Sequence, residues 1–599
     1  MPKQRSDAAA PQGAAGRAWS EAHSLLVVVF ACGAVLMAFE MVGSRILAPT
    51  FGSTVFVWGS LIGVFLGALS LGYLVGGHVA DKRPSFFLLG SVIAAAGLII
   101  LVVPLYAPAS CRAIDGANPG HRINPLLASL VLFFVPSVLL GMVSPFAVRL
   151  QARSVATMGN VAGRLYALST LGSIAGTVLA TFWLIPSFGT SNLTKTLGLT
   201  LVAVSLLAIL PRLRQHWSKG GLKGAAGGAT AGLLAVVLAI LPSPTFIPLD
   251  DGEVLMAEAD SAYQHIGVVL IPPVPGTTQS QWAIRMMFDK YIESEVVVEP
   301  CEGDDPGSMP VTVLQRGAKR PSPWVSDEDK ETTPEPPSHI RLKTPYTSGA
   351  KYTDMLHLPF IFNPDPRSCL IVGGGGGVVP TIFRRDYPDM TIDVAEIDPL
   401  VVRLADDYFG FTPNDDKTTT TVVDGRVFIR DTPKQYDLII LDAFTGGRPP
   451  FHLMTREFLE LVKARLTDKG VVHLNIISAL DGPRGRFYRA VLKTFHSVFG
   501  ADHVYVFPKR YDSDYGYTGS DTEGTNVEVI ATRFDTVPNP LPPEQVLRRA
   551  RKLVESRRVR IAAITIHAEN YRPEQRTRDL ADTPLLTDDY APVDMMVID

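Results

Sequence analysis

The sequence predicts a multi-domain protein: an all-α membrane-spanning bundle, then a small strand-rich region, then an α/β nucleotide-binding domain. Three observations predict it. Residues 23–245 are mostly apolar and fall into runs long enough to cross a bilayer, whereas the remainder has ordinary globular composition. Beyond Pro242 the pattern turns strand-like, with β-branched and aromatic residues in short runs. From Ser368 the chain reads strand, five glycines, helix, strand, acid, the unit with which open α/β sheets bind nucleotides.

Taken from the N-terminus, residues 1–22 are polar and alanine-rich and are expected to be a disordered cytoplasmic tail. The apolar run after them is too long for a signal peptide and lacks a cleavage site, which predicts a retained anchor. About seven spans are expected in 23–245, near 23–46, 55–79, 85–107, 125–148, 161–187, 193–211 and 225–243. The pairs Gly63/Gly67, Gly72/Gly76 and Gly172/Gly176 predict close helix approach. Glu40 lies within the first span and is a functional candidate by its depth; a structural pair with Arg45, or Arg45 snorkelling to the interface, accounts for the same residues. The turn Gly77-His-Val-Ala-Asp81-Lys82-Arg83 resembles a loop motif of major-facilitator transporters, over those few residues only. Lys3, Arg5, Arg17, Lys82, Arg83, Arg149, Arg153, Arg212, Arg214, Lys219 and Lys223 share one side, which predicts a cytoplasmic N-terminus.

The next region, 250–345, is expected to be β-rich, with strands over Ser261–Leu270 and Trp282–Asp289. A Pro- and acid-rich insertion at 299–345 is expected to have no core of its own. A helix beginning at Tyr352 leads into the α/β domain, 346–535, and 536–599 is a C-terminal extension. In the α/β domain Ser368–Val372 is a strand, and Gly373 to Gly377 form a turn in which glycine permits positive φ and lets a ligand lie against bare peptide. A second strand ends on Glu396, whose carboxylate can accept hydrogen bonds from ribose hydroxyls. Strands over Thr419–Val423 and Tyr436–Leu441 end on Asp424-Gly425 and Asp442, and further strands are expected near 471–476, 503–507 and 526–532. These acids fall at the carboxyl edge, where such sheets bind ligands. Cys32, Cys111, Cys301 and Cys369 have no metal or disulfide spacing, and a formal net charge of −3 gives no reason to expect nucleic acid.

These residues resemble the spermidine synthase family of aminopropyltransferases, in particular its membrane-fused bacterial members, over roughly 255–535. The glycine loop, Glu396-Ile-Asp398, Asp424-Gly425 and Asp442 carry most of the resemblance, with Tyr263-Gln264, Tyr352 and the ending Leu586-Thr-Asp-Asp-Tyr-Ala-Pro-Val593. It implies a small N-terminal β domain followed by a class I methyltransferase-like Rossmann domain, acting in polyamine biosynthesis. Gln264, Tyr352, Gly373, Gly374, Gly375, Gly376, Glu396, Asp424 and Gly425 would hold decarboxylated S-adenosylmethionine, with Glu396 on the ribose and Asp424 on the adenine. Tyr263, Asp442 and Phe444 would receive a putrescine-like amine, and Asp442 would deprotonate it; a helix cap or loop-former is the other reading of Asp442. No metal is implied, and a homodimer through the soluble domain stays open.

Two departures bear on this. The family's glycine loop has an Asp, paired with the cationic end of the donor, where this chain has Gly376, and Val378 replaces the last glycine. The family's Asp-x-x-Asp becomes Asp442-Ala-Phe444-Thr445, with Arg448 nearby. Two other readings therefore stand beside aminopropyl transfer: an S-adenosylmethionine-dependent methyl or related transferase, and a transporter or scaffold with an adenosyl-sensing domain. A nicotinamide enzyme ranks lower, since Asp424 and Asp442 would have no role in it. An odd number of spans would send the soluble half outward, away from a cytosolic cofactor. Either one run is re-entrant or interfacial, or that half faces outward; the cytoplasmic face of the bacterial inner membrane is preferred.

Overall fold

The computed structural model describes residues 12–52, 54–117, 119–120, 122–152, 155–217, 232, 234–273, 280–317, 334–445, 449–510 and 520–596. It divides into two compact units, Met1–Phe246 with Asp260–Ala262, and Ile247–Ala259 with Tyr263–Asp599.

The first unit is helical: α1 (Gln12–Phe51), α2 (Val55–Lys82), α3 (Phe86–Ala117), α4 (Asn124–Gly141), α5 (Val143–Gln151), α6 (Val155–Leu179), α7 (Ile185–Phe188) and α8 (Thr190–Trp217). Six helical stretches among the described residues are long and apolar enough to cross a membrane, and they coincide with the first six expected runs. Of the seventh run, 225–243, residues 234–240 are helical, with Ala235 buried; 225–231 and 233 lie outside the described residues, as do Arg153, Lys219 and Lys223. Residues 12–22, expected to be disordered, instead open α1; their alanines favour helix and extend the span by its own hydrogen bonds.

Small residues set the helix spacing, though not at every expected pair. A side chain at Gly172 or Gly176 of α6 would run into the carbonyls of Phe30 and Ala34 in α1, and one at Gly72 or Gly76 of α2 into the α4–α5 backbone. Gly63 and Gly67 face outward with nothing within 4 Å, so that pair makes no helix contact here. Phe39, Phe65 and Phe133 meet in the bundle interior, Phe39 and Phe133 edge to face at 5.3 Å. Glu40 is buried within α1, and Asp81 pairs with Arg149 at 3.2 Å.

The second unit holds two sheets. The first is antiparallel, built from β1 (Val254–Asp260), β2 (His265–Ile271), β3 (Ala283–Phe288), β4 (Tyr291–Pro300), β5 (Met309–Pro310), β6 (Gln315–Arg316) and β7 (His339–Leu342). Its order is β5-β7-β4-β3-β2-β1-β6. The region 299–345 is thus not a coreless insertion. It contributes β5, β6 and β7, and Ile340 is buried in the core, because a backbone beside an open strand edge satisfies its hydrogen bonds by joining it; residues 318–333 lie outside the described set. Tyr263 and Gln264 precede β2 instead of lying in it.

The second sheet contains β8 (Ser368–Val372), β9 (Thr391–Glu396), β10 (Thr418–Val422), β11 (Tyr436–Leu441), β12 (Leu466–Ser478), β13 (Val504–Pro508) and β14 (Thr525–Thr532). Its order is β10-β9-β8-β11-β12-β14-β13. The first five pair in parallel and β14 runs antiparallel between β12 and β13. Both faces of β8 and β11 are covered: Cys369, Ile371, Leu438 and Ile440 face one core cluster, and Leu370, Val372, Ile439 and Leu441 the other. That explains their near-continuous apolar runs. Residues 536–596 belong to these same cores, through Val546, Ala550 and Leu553 on one face and Leu586 and Val593 on the other.

Candidate active site

Strand order reverses between β8 and β11, and the crevice at their carboxyl ends is where an open α/β sheet receives a ligand. β8 delivers the glycine loop into it. Gly373, Gly375 and Gly377 take positive φ of 97°, 47° and 68°. Gly373 backs onto the Asp442 carbonyl, leaving no room for a side chain. The Asp442 N–H donates to the Val372 carbonyl at 2.9 Å, so loop and β11 end are fastened together.

At one end of the crevice the acids are tied to backbone. Glu396 is buried; its Oε2 accepts from the Gly374 N–H at 2.7 Å and its Oε1 from the Asp398 N–H at 2.9 Å. Burial pushes this carboxyl up, and those N–H groups pull against the rise. Asp424 caps the helix Gly425–Asp431, its Oδ1 accepting from the N–H groups of Arg426 and Val427 at 2.9 and 3.1 Å. Its Oδ2 meets His452 Nε2 at 3.0 Å. Gly425 presses against Val372 too closely for a side chain. Tyr263 belongs to this end: burial raises its phenol, and Asp398, Asp424 and Glu396 add to the rise. It is therefore brought together with the residues expected at the nucleotide. Gln264 is buried just ahead of β2.

At the other end the acids face each other. Asp442 Oδ1 accepts from Asn475 Nδ2 at 2.8 Å, and Asn475 Oδ1 in turn accepts from Asn526 Nδ2 at 3.1 Å. The Tyr352 hydroxyl lies 3.5 Å from Asp442 Oδ2 and 3.3 Å from the Glu293 carbonyl. Burial pushes Asp442 up to about 6, while the Asn475 hydrogen bond opposes the rise. Behind it His473 Nε2 and Glu528 Oε2 are 2.7 Å apart and fully buried. Burial lowers the imidazole and raises the carboxyl. Asp442 caps no helix; that role falls to Asp424. Phe444 is half-buried just past β11, and Arg448 lies outside the described residues.

One acid in the crevice went unread in the sequence. Glu293 of β4 lines it with Tyr352, Gly373, Gly374, Gly375 and Asp442. Burial, then Asp442, then Glu396 drive its carboxyl well above the usual range. The strand carries two inward acids, and only Glu295 has a cation, Arg285, opposite it in the ladder. The neighbouring Ser294 also explains Gly376: the Gly376 N–H donates to Ser294 Oγ at 2.8 Å, and a Cβ there would sit 2.8 Å from Ser294 Cβ and 3.0 Å from Phe409. The loop position that carries an acid in the family is thus closed to a side chain by strand β4.

The spermine/spermidine synthase domain family matches residues 350–479. Over 251 residues the chain is 33% identical to the polyamine aminopropyltransferase of Vibrio vulnificus, covering 41% of this chain and 75% of that protein. Over 215 residues it is 30% identical to a protein of Nicotiana attenuata named putrescine N-methyltransferase 2, covering 33% of this chain and 53% of that protein. Among solved structures, the spermidine synthase of Thermotoga maritima aligns with a TM-score of 0.32 at 17% identity, covering 49% of this chain and 77% of that one.

Proposed function

The chain belongs to the spermine/spermidine synthase family, and on that premise we propose that it is a membrane-bound transferase that moves an aminopropyl group from decarboxylated S-adenosylmethionine to a putrescine-like amine. The observation that carries the reading is Asp442, a carboxylate pushed up to about 6 beside Tyr352 at the mouth of the glycine loop. An alkylammonium with a pKa of about 10 is no nucleophile until it loses a proton, and a carboxylate in a dry cleft both anchors the cation and receives that proton. The freed amine nitrogen attacks the carbon next to the sulfonium. The new N–C bond forms as the C–S bond breaks, its electrons pass to sulfur, and neutral methylthioadenosine leaves without needing an acid.

Glu396 in this reading takes the ribose hydroxyls and Asp424 the adenine amino group. The bare loop peptide supports it, as do the acids at the tips of adjacent parallel strands. Gly373 to Gly376, Gly425, Gln264 and Tyr352 complete the donor site, and Phe444 and Asp442 the acceptor site; Tyr263 moves to the nucleotide side. A second reading, methyl transfer from intact S-adenosylmethionine to the same class of amine, draws on the closed Gly376 position and on the relatives named putrescine N-methyltransferases. Calorimetry on the full chain in detergent separates the two. Decarboxylated S-adenosylmethionine binding tighter than the intact molecule is expected; the reverse order favours methyl transfer.

The helical unit we assign to the bacterial inner membrane, with the N-terminus and the α/β unit both cytoplasmic. This placement rests on the adenosyl donor being made in the cytosol; the six long apolar helices are those among the described residues and leave out the run 225–243, which is helical at 234–240. A reporter fused at the C-terminus should be active only in the cytoplasmic form; activity only in the periplasmic form would overturn the placement.

A further inference from the structure

Glu293 has none of the roles assigned above, and its position is built. In the β3–β4 ladder Met286 pairs with Ser294 and Met287 with Ile292, so the register skips Glu293. An extra residue in one strand of an antiparallel pair is a bulge, a device that re-aims a side chain at the cost of ladder bonds. Here the bulge turns Glu293 into the crevice. Its carbonyl, freed from the ladder, accepts from the Tyr352 hydroxyl at 3.3 Å. A methyl group built on Gly375 would sit 3.7 Å from its Oε1, so the carboxylate lies along the glycine loop. Among the described residues that carboxylate has no hydrogen-bond partner, and no Lys or Arg lines the crevice. Asp442 and Glu396 face it as like charges. Three acids arranged this way are relieved by a proton or by a bound cation.

The glycine loop itself supplies no anion, and strand β4 blocks one at Gly376. We propose that Glu293 binds the terminal ammonium of the aminopropyl donor, and that this residue of the β sheet, not a residue of the loop, sets the preference for decarboxylated over intact S-adenosylmethionine. The inference rests on the aminopropyl-transfer reading. It gives each of two amines its own carboxylate, Glu293 for the donor and Asp442 for the acceptor. It also gives the discrimination a physical cause: the α-carboxylate of the intact molecule would enter a crevice that already holds three acids.

The test is calorimetry on the full chain in detergent with three probes: methylthioadenosine, which lacks the ammonium, decarboxylated S-adenosylmethionine, and the intact molecule. Glu293→Gln should weaken the decarboxylated donor about ten- to hundredfold, leave methylthioadenosine within about twofold, and leave the intact molecule unchanged or tighter. Glu293→Asp should keep part of the wild-type preference. Unaltered discrimination in Glu293→Gln overturns the inference while leaving the adenosyl site in place. Wild-type protein that binds methylthioadenosine as tightly as the decarboxylated donor also overturns it, whatever the variants do. Wild-type protein that binds none of the three defeats the transferase reading itself.

Discussion

Glu396 and Asp424, at the β9–β10 end of the crevice, have their oxygens taken up by backbone N–H groups and by His452. Asp442 and Glu293, at the β11–β4 end, face each other across Tyr352 and are both pushed toward the protonated form. The first pair would hold the loop and a helix together with no ligand present, and suits the neutral hydroxyls and amino group of a nucleoside. The second pair is an electrostatic liability until a cation arrives. A site that costs stability where it does its chemistry is the expected trade-off between activity and stability.

The largest effect that tests this contrast belongs to Asp442→Asn. Turnover should fall about 10²–10⁴-fold, as for loss of a general base, while the folded protein gains up to about 3 kcal/mol in thermal or denaturant unfolding. The sign follows from the raised pKa. Between the ordinary value of 3.8 and about 6 the folded state keeps a proton that the unfolded chain has lost. The group's contribution therefore improves as pH falls through that window and is unfavourable at pH 7. In the wild type, kcat/KM should fall about tenfold per pH unit below about 6 as the base is protonated; a flat profile down to pH 5 would exclude Asp442 as the base.

Glu396→Ala should cost about 2–4 kcal/mol of affinity for every adenosyl ligand alike, and it should destabilise the fold, because Gly374 and Asp398 lose their acceptor. Equal affinity in the variant would remove the nucleotide site. Gly376→Asp, which restores the family's loop acid, should destabilise by about 1–3 kcal/mol through its clash with Ser294 and Phe409, with no gain in donor binding. Tighter donor binding in a folded variant would show that β4 yields. Asp424→Ala should cost about 1 kcal/mol, the value of a helix cap, and its effect on unfolding should exceed that of any exposed carboxylate on the same helix.

Much of this site was legible from the chain because its parts are local. A strand, a glycine turn and an acid at the next strand's tip are set by short-range spacing, and Glu396, Asp424 and Asp442 fall where that spacing puts them. Glu293 was not legible because its place depends on a bulge and on the packing of one sheet against the loop of another. Neither leaves a periodic signal. The region 299–345 misled for a related reason: its Pro- and acid-rich composition reads as solvated, yet four residues, His339–Leu342, suffice to join β4. Gly63 and Gly67 show the converse, since small-residue spacing marks where helices can approach, and the packing of the bundle decides which of those places is used.

The most direct test of the account is to identify the products. Full-length protein given decarboxylated S-adenosylmethionine and putrescine should release methylthioadenosine and an aminopropylated diamine in equal amounts by mass spectrometry, and release neither in Asp442→Asn. Formation of S-adenosylhomocysteine and a methylated amine from the intact donor, with no methylthioadenosine from the decarboxylated one, would contradict it.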